Sequence, residues 1–317
     1  MNGTVIERFV ALDSAFRDGA RRQERLYARF SALTGLSSDL DPGLFVERAL
    51  AVRTQLDEGL GMWKTPAKAM RLVFASALVA SGRSAPHFFE MREALTQTRK
   101  ARGGRRLGHD GACAALALIA AGGQPHHADA FFDTLEAIAA PWWRRDAPRE
   151  EIVAALFTGM GEMPDEALIR LQGAREALRT AGVPKHHADA AACEVAVYDF
   201  DAAVIAPAWT TLNTAMRGRS ALRTGIGKTG LAVLAAQGNG QATADALVAS
   251  FEAVRALKPR PTGDVAAKLA MRLTQAQTGG TSPISAARDI AAVLAAQAAM
   301  IAAVSASSSA AVVAVAT

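Results

Sequence analysis

Residues 115–138 read ALALIAAGGQPHHADAFFDTLEAI: an alanine-rich segment, a turn at Gly122, and a second segment that opens on Pro125. In the second segment apolar residues recur every three or four positions, which is the period of an α-helix with one buried face. Glycine suits the end of a helix, and proline is tolerated in the first turn of the next one. The stretch therefore predicts a helical hairpin.

The same unit recurs through most of the chain. Alanine-rich segments end in turns 37 to 41 residues apart, at Gly82, Gly122, Gly161, Asp201, Gly238 and Gly279. Three of the segments that follow open on Pro86, Pro125 and Pro164, at intervals of 39 residues. One such hairpin cannot bury its own apolar faces, so neighbouring hairpins must stack. The sequence predicts an all-α fold, a right-handed stack of about six antiparallel helical hairpins (an α-solenoid, or α-α superhelix) with an N-terminal helical cap.

The pattern also divides the chain. Residues 1–58 carry separate helical patterns and are expected to cap the first repeat, residues 59–300 hold the repeats, and residues 301–317 form an Ala/Ser-rich tail. The N-terminus carries acidic residues and no long apolar stretch, which argues against a secretory signal. The two cysteines, Cys113 and Cys193, lie in apolar helical patterns, so we expect small buried hydrophobic residues in a cytoplasmic protein. The C-terminal segment is too weakly apolar to predict a membrane anchor.

These repeats resemble α-helical repeat proteins of the HEAT or tetratricopeptide kind, over residues 59–300. The Trp, Gly, Tyr and Pro pattern of tetratricopeptides is absent, and the period of about 40 residues is longer than theirs. The blocks ALALIAAGG (115–123) and GLAVLAAQGNG (230–240) are also similar to a bacterial domain-of-unknown-function family, number 4003. That resemblance implies an all-helical bacterial protein and brings no catalytic residue.

Positive charge is concentrated in the links between the hairpins. Five link segments hold 18 Lys or Arg and two acids, whereas the turns within hairpins hold one basic residue and eight acids. The helix macrodipole favours cations at helix C-termini and accounts for part of this asymmetry. It accounts less well for RKARGGRR (99–106) and RGRSALR (217–223), which continue past the helix ends. Stacking brings all links to one edge, so we expect a basic edge that binds an anionic partner.

PWWRRD, residues 141–146, places two indoles beside two arginines in one of these links. Aromatic rings and guanidinium groups together stack on nucleic-acid bases and contact phosphates. Some HEAT-like DNA glycosylases combine tryptophans and an aspartate on a basic concave face, and the loop resembles them in composition. The alternative, which we prefer, is that Trp142 or Trp143 fills the junction between two repeats. The predicted partner-binding residues are Arg99, Lys100, Arg102, Arg105, Arg106, Trp142, Trp143, Arg144, Arg145, Arg217, Arg219, Arg223 and Lys228.

Residues 224–230, TGIGKTG, contain part of a phosphate-binding loop. Gly227, Lys228 and Thr229 match the last positions of G-x-x-x-x-G-K-[ST], but Leu222 stands where the first glycine is required. No run of β-branched apolar residues precedes the loop, so the strand that should enter it is also missing. We interpret the stretch as a link between repeats, and we predict no nucleotide cofactor.

HHAD occurs at 126–129 and again at 186–189, which invites a metal site. The first begins a second helix and the other begins a first helix, so the repeat pattern places them on opposite edges. We predict no metal. No Ser/His/Asp, Cys/His or paired-carboxylate set falls on neighbouring positions, so no catalytic residue is assigned and the question of enzymatic activity stays open.

These patterns favour a non-catalytic helical scaffold that binds another macromolecule, with protein as the expected partner, through an extended surface with one basic edge. The alternative is a nucleic-acid-binding or DNA-repair protein of the HEAT-like glycosylase type, which uses the basic edge and the PWWRRD loop. No membrane partner is expected, and the sequence does not specify an oligomeric state.

Overall fold

The computed structural model describes residues 4–21, 24–60, 65–140 and 147–278. Within those ranges the regular elements are helices and no strand occurs, so the predicted all-α class is confirmed. The helices are α1 (Val5–Gly19), α2 (Arg25–Thr34), α3 (Pro42–Leu60), α4 (Arg71–Ala80), α5 (Ala85–Ala101), α6 (Ala112–Ala120), α7 (Ala128–Ile138), α8 (Ala147–Gly159), α9 (Pro164–Thr180), α10 (Lys185–Val195), α11 (Ala202–Ala215), α12 (Ser220–Ala235), α13 (Gly240–Ala256) and α14 (Gly263–Thr278). None of these helices is both long and apolar enough to cross a membrane.

Five hairpins follow one another from α4 to α13, and their turns fall where the glycine pattern predicts. Gly82, Gly122 and Gly161 each adopt a positive φ, of 64°, 91° and 80°. The residue after each glycine donates its backbone N–H to a carbonyl five residues earlier, as Arg83 does to Leu78 at 2.8 Å. This arrangement caps the C-terminus of the first helix and turns the chain into the second.

Asp201 performs the equivalent turn differently. It is the N-cap of α11, and its carboxylate accepts the backbone N–H of Ala203 at 2.9 Å. The sixth predicted turn, at Gly279, and the rest of the chain to Thr317 lie outside the described residues, as does the predicted 301–317 tail. α14 occupies the position that the pattern predicts for the first helix of a sixth hairpin.

The helices form two layers. The first helices of the hairpins pack in sequence, α4 on α6, α8, α10, α12 and α14, while the second helices α5, α7, α9, α11 and α13 pack side by side around them. Small side chains permit the close inner contacts: Ala112, Ala115 and Ala117 of α6 are fully buried. α6 is apolar all round, and a helix of that kind must be covered on every side, as α6 is by its neighbours.

The N-terminal helices pack against both ends of this series. α2 contacts α4 and also α14, and α1 contacts α14. Phe9, Phe16 and Phe30 share a core cluster with Leu72 of α4 and Leu273 of α14. The side chain of Arg29 donates to the backbone oxygen of Pro259, which precedes α14.

An open stack keeps its first and last repeats apart, with a cap on the first repeat alone. Here α2, α4, α6, α8, α10, α12 and α14 form a closed series of neighbours, which we call the inner ring. Closure buries the apolar faces that terminal repeats of a solenoid expose. The right-handed course of the stack stays a prediction.

Candidate functional site

The structure describes most residues of the predicted basic edge. Some of these cations form ion pairs with carboxylates of the same chain, and others do not. Arg102 donates to Asp129 at 3.2 Å and to Asp133 at 2.6 Å. Arg105 lies 3.6 Å from Glu151, whose carboxylate also accepts the backbone N–H of Gly108 at 2.9 Å. The charges of these two arginines are therefore neutralised within the molecule. Asp129, which the sequence pattern assigns to a turn within a hairpin, pairs with Arg102 of a link between hairpins.

Other predicted cations are exposed. Among the described residues, Lys100 and Arg106 beside α5, and Arg217, Arg223 and Lys228 near the α11–α12 link, lie in no ion pair. Arg219 donates to the carbonyl of Ala215 at 3.1 Å, in the last turn of α11. Arg99 is half-buried and donates to the carbonyl of Gly104 at 3.4 Å. Trp142, Trp143, Arg144 and Arg145 lie outside the described residues.

We call the four cations Arg217, Arg219, Arg223 and Lys228 the α11–α12 basic surface. All four are exposed. They come from twelve consecutive positions and carry four positive charges with no acid between them. The structure therefore leaves four exposed cations here, whereas Arg102 and Arg105 already have carboxylate partners.

TGIGKTG spans a kink in α12, where two helical segments meet at Gly227, with φ 69° and ψ 171°. A Cβ on Gly225 would stand 2.5 Å from the Cβ of Ala267 and 3.1 Å from the Cα of Asp264. Close packing of α12 on α14 therefore requires glycine at 225. At Gly230 an added Cβ would stand 2.7 Å from the sulfur of Met271, whose flexible side chain can move.

A cavity of about 160 Å³ lies where α8, α10, α12 and α14 face one another. Every described residue that lines it belongs to one of these inner-ring helices, except Val197 and Tyr198, which follow α10. No outer helix contributes, so the cavity lies inside the ring. Its walls are mainly apolar, formed by Ile152, Val153, Leu156, Val197, Ile226, Val233 and Met271.

Glu194 and Arg272 form an ion pair in the cavity wall, through both carboxylate oxygens. Gln275 donates to Glu194 Oε1 at 3.0 Å, and the Tyr198 hydroxyl donates to the same oxygen at 3.4 Å. Burial raises the pKa of Glu194, but the charge and hydrogen bonds of Arg272, with those of Gln275 and Tyr198, outweigh it and hold the pKa below its usual value. Glu194 is therefore an ionised, satisfied group and not a proton donor poised for chemistry.

Lys268 also lines the cavity, from the first half of α14. Its side chain is half-buried, and no described carboxylate lies within ion-pair distance of it. Arg149, near the start of α8, adds a second cation to the lining. Since Glu194 is balanced by Arg272, Lys268 is the lining residue that brings a positive charge with no described carboxylate in reach.

Sequence analysis did not identify Glu194, Arg272 or Lys268. A signal was present, because Glu194 and Arg272 each lie seven residues before a predicted turn, at Asp201 and Gly279. They thus occupy the same register in two different inner helices. A charged side chain inside a segment of small apolar residues requires a partner of opposite charge. Because Glu194 and Arg272 have opposite charges at the same distance from their turns, each could have been predicted as the partner of the other.

The first histidine pair precedes α7, a second helix, and the other lies in the first turn of α10, a first helix, as the repeat pattern predicts. His127 Nδ1 accepts the backbone N–H of Gln124 at 2.9 Å, at the start of α7. His187 Nδ1 lies 3.0 Å from the Thr229 hydroxyl, and burial, then His186 and Lys228, lower its pKa. Across the described ranges no three His, Cys, Asp or Glu side chains are placed to hold a metal ion.

The cysteines are free, with Cys193 buried and Cys113 half-buried. Burial and the charge of Glu151 raise the pKa of Cys113 to about 12 against the opposing effect of Arg92, so its thiol stays protonated near neutral pH. A protonated thiol is a poor nucleophile. Cys113 therefore has the character of a packing residue.

No protein-family model, curated protein or solved structure matches the chain. The resemblance to family number 4003 thus has no support from a family match, while the all-helical architecture agrees with the coarser likeness to helical repeat proteins. The α11–α12 basic surface and the cavity of the inner ring are therefore the two candidate functional sites of the protein.

Proposed function

We propose that this protein is a helical scaffold that binds an acidic segment of a partner protein through the α11–α12 basic surface. One observation carries the proposal: Arg217, Arg223 and Lys228 are exposed and lie in no ion pair within the described chain. A cluster of like charges repels itself, and an anionic partner relieves that repulsion and is drawn toward the surface.

The helix macrodipole does not account for this cluster. Arg217 and Arg219 follow the C-terminus of α11, which ends at Ala215, and there cations are favourable. Arg223, however, lies near the N-terminus of α12, where cations are unfavourable, and Lys228 is the ninth of its 16 residues, beyond the first turn in which the dipole acts. The dipole thus favours only two of the four charges, and a partner's carboxylates would supply the missing compensation.

The nucleic-acid alternative has less support. The sequence argument for it depended on Arg102, Arg105 and Arg144 together with the PWWRRD loop. Arg102 and Arg105 already face carboxylates at 2.6–3.6 Å, and the loop lies outside the described residues. A nucleic-acid backbone would have to displace those carboxylates before it could contact either arginine.

A binding titration with matched variants tests the proposal. The probes are a soluble Glu-rich peptide and a single-stranded oligonucleotide of equal charge, each measured at low and at physiological salt. We expect the peptide to bind the wild-type chain, and Arg217→Gln/Arg223→Gln to weaken that binding roughly three- to tenfold, since exposed charge pairs contribute little each.

Arg48→Gln/Arg83→Gln is the matched control, because both residues are exposed and lie in no ion pair of the described chain. Equal weakening by the two double variants would show that only net charge matters and would overturn the proposal. Tighter binding of the oligonucleotide, with a steep salt dependence, would replace it with the nucleic-acid alternative.

A further inference from the structure

The cavity inside the ring is separate from the α11–α12 basic surface and has no part in the proposed scaffold function. Four consecutive helices of the inner ring line it: α8, α10, α12 and α14. Protein interiors are packed as densely as organic crystals, so a void of about 160 Å³ among fully formed helices is a distinct feature.

The wall determines what kind of molecule fits. Ile152, Val153 and Leu156 line one side from α8, and Ile226 and Val233 line the other from α12. Such surfaces favour an apolar body over water, because a buried water needs two to four polar partners. A dry apolar cavity of ~150 Å³ holds a molecule the size of benzene, so this one accommodates roughly six to ten non-hydrogen atoms.

The polar groups of the wall determine what the molecule must carry. Arg272 is committed to Glu194, and Gln275 and Tyr198 complete the hydrogen bonds of that carboxylate. Lys268 is different, because it is half-buried at an apolar cavity with no described carboxylate in reach. A partly desolvated cation without a counter-charge is unfavourable, and a bound anion removes that penalty.

We infer that the cavity binds a small apolar monocarboxylate, with its carboxylate paired to Lys268 and its hydrocarbon body among Val153, Ile226 and Val233. A dicarboxylate would bury its second charge against the apolar wall, where no described cation is left to pair with it. A neutral molecule of the same shape lacks the ion pair.

Calorimetry with the full-length protein tests this inference, with benzoate and hexanoate as probes and benzamide and hexan-1-ol as their uncharged counterparts. We expect saturable binding of an acid at one site, and binding at least about tenfold weaker for its uncharged counterpart, since hydrogen bonds to charged groups are the stronger ones. Equal affinity for acid and uncharged probe, or no binding of either acid, would overturn the inference.

Two variants locate the site. Lys268→Met keeps the length of the side chain and removes its charge, and we expect it to weaken acid binding about tenfold or more. Lys185→Met is the matched control, because Lys185 is exposed at the start of α10 and does not line the cavity. Ala190→Leu adds bulk to the lining and should abolish binding of both acids.

Thermal unfolding and circular dichroism of each variant confirm that the fold persists before affinities are compared. Arg217→Gln/Arg223→Gln should bind benzoate like the wild type, which distinguishes the cavity from the α11–α12 basic surface. Unchanged benzoate affinity in Lys268→Met, or an equal loss in Lys185→Met, would show that the acid binds elsewhere.

Discussion

Glu194 shows how a single charged residue is accommodated in an inner helix. It and Arg272 come from α10 and α14, and their side chains are 18% and 10% exposed. Arg272 and Gln275 of α14, with Tyr198 just after α10, satisfy one carboxylate and keep its pKa below the ordinary value. A lowered carboxylate pKa contributes stability that is present above the unfolded-state pKa and is lost as pH falls through the folded-state pKa.

Glu194→Gln should therefore reduce stability at pH 7 and flatten its decline in acid. Removing one partner leaves Arg272 partly buried without its counter-charge, and we expect a loss of about 1–3 kcal/mol in the free energy of unfolding at pH 7. The difference from the wild type should shrink below about pH 4, near the unfolded-state value for glutamate. Urea unfolding between pH 3 and 7 measures both effects.

Glu136→Gln is the control, since Glu136 is exposed in α7 and lies in no ion pair of the described chain. It should leave the pH profile unchanged. A wild-type-like profile for Glu194→Gln would mean that the ion pair contributes no pH-dependent stability.

At the scale of elements, the hairpins could be predicted from the sequence because local residue chemistry determines where each helix ends. Gly82, Gly122, Gly161 and Gly238 all adopt the positive φ that ends a helix, as the turn pattern predicted. Contacts between helices leave a weaker trace. In TGIGKTG, Gly227 breaks the helical backbone with a positive φ, as expected of a junction between helices. Gly225 is instead required by the close approach of α14, and nothing local in the sequence indicates that contact.

Gly225→Ala should destabilise the protein, because its Cβ would lie 2.5 Å from that of Ala267 and 3.1 Å from the Cα of Asp264. One of these is backbone, so the helices must shift, at a cost of roughly 1–3 kcal/mol for overpacking. Gly173→Ala is the control within a helix, since nothing lies within 4 Å of its added Cβ in α9. That change should stabilise by about 0.5–1 kcal/mol.

Thermal and urea unfolding compare the two glycine variants. Opposite signs are expected. Destabilisation of the same size at both positions would mean that α12 and α14 do not approach as closely as the structure shows.

At the scale of the whole molecule, closure of the inner ring could not be predicted from the repeat pattern. The pattern specifies neighbours about 40 residues apart, whereas Arg29 and Pro259 meet across 230 residues. The cavity could not be predicted for the same reason, because it forms only where four inner helices face one another. Both features follow from how the repeats are arranged and not from any one repeat.

Because the inner ring is closed, a mutation in α2 should also destabilise α14. Phe30 is fully buried in the cluster that joins α1 and α2 to Leu72 and Leu273. Phe30→Ala should cost about 3–5 kcal/mol, as large-to-small changes at buried aromatic residues do. Hydrogen exchange should then show weakened amide protection in both α4 and α14, because each packs against the altered helix.

Phe131→Ala in α7 is the matched comparison, since Phe131 is equally buried but belongs to the other core cluster. It should weaken protection in α7 and its neighbours α5, α8 and α9 before it affects α1 or α2. An open stack predicts a different result for Phe30→Ala, with protection lost from α1 to α4 and unchanged in α14. Because the two arrangements share every local hairpin, the exchange rates of α14 distinguish them most directly.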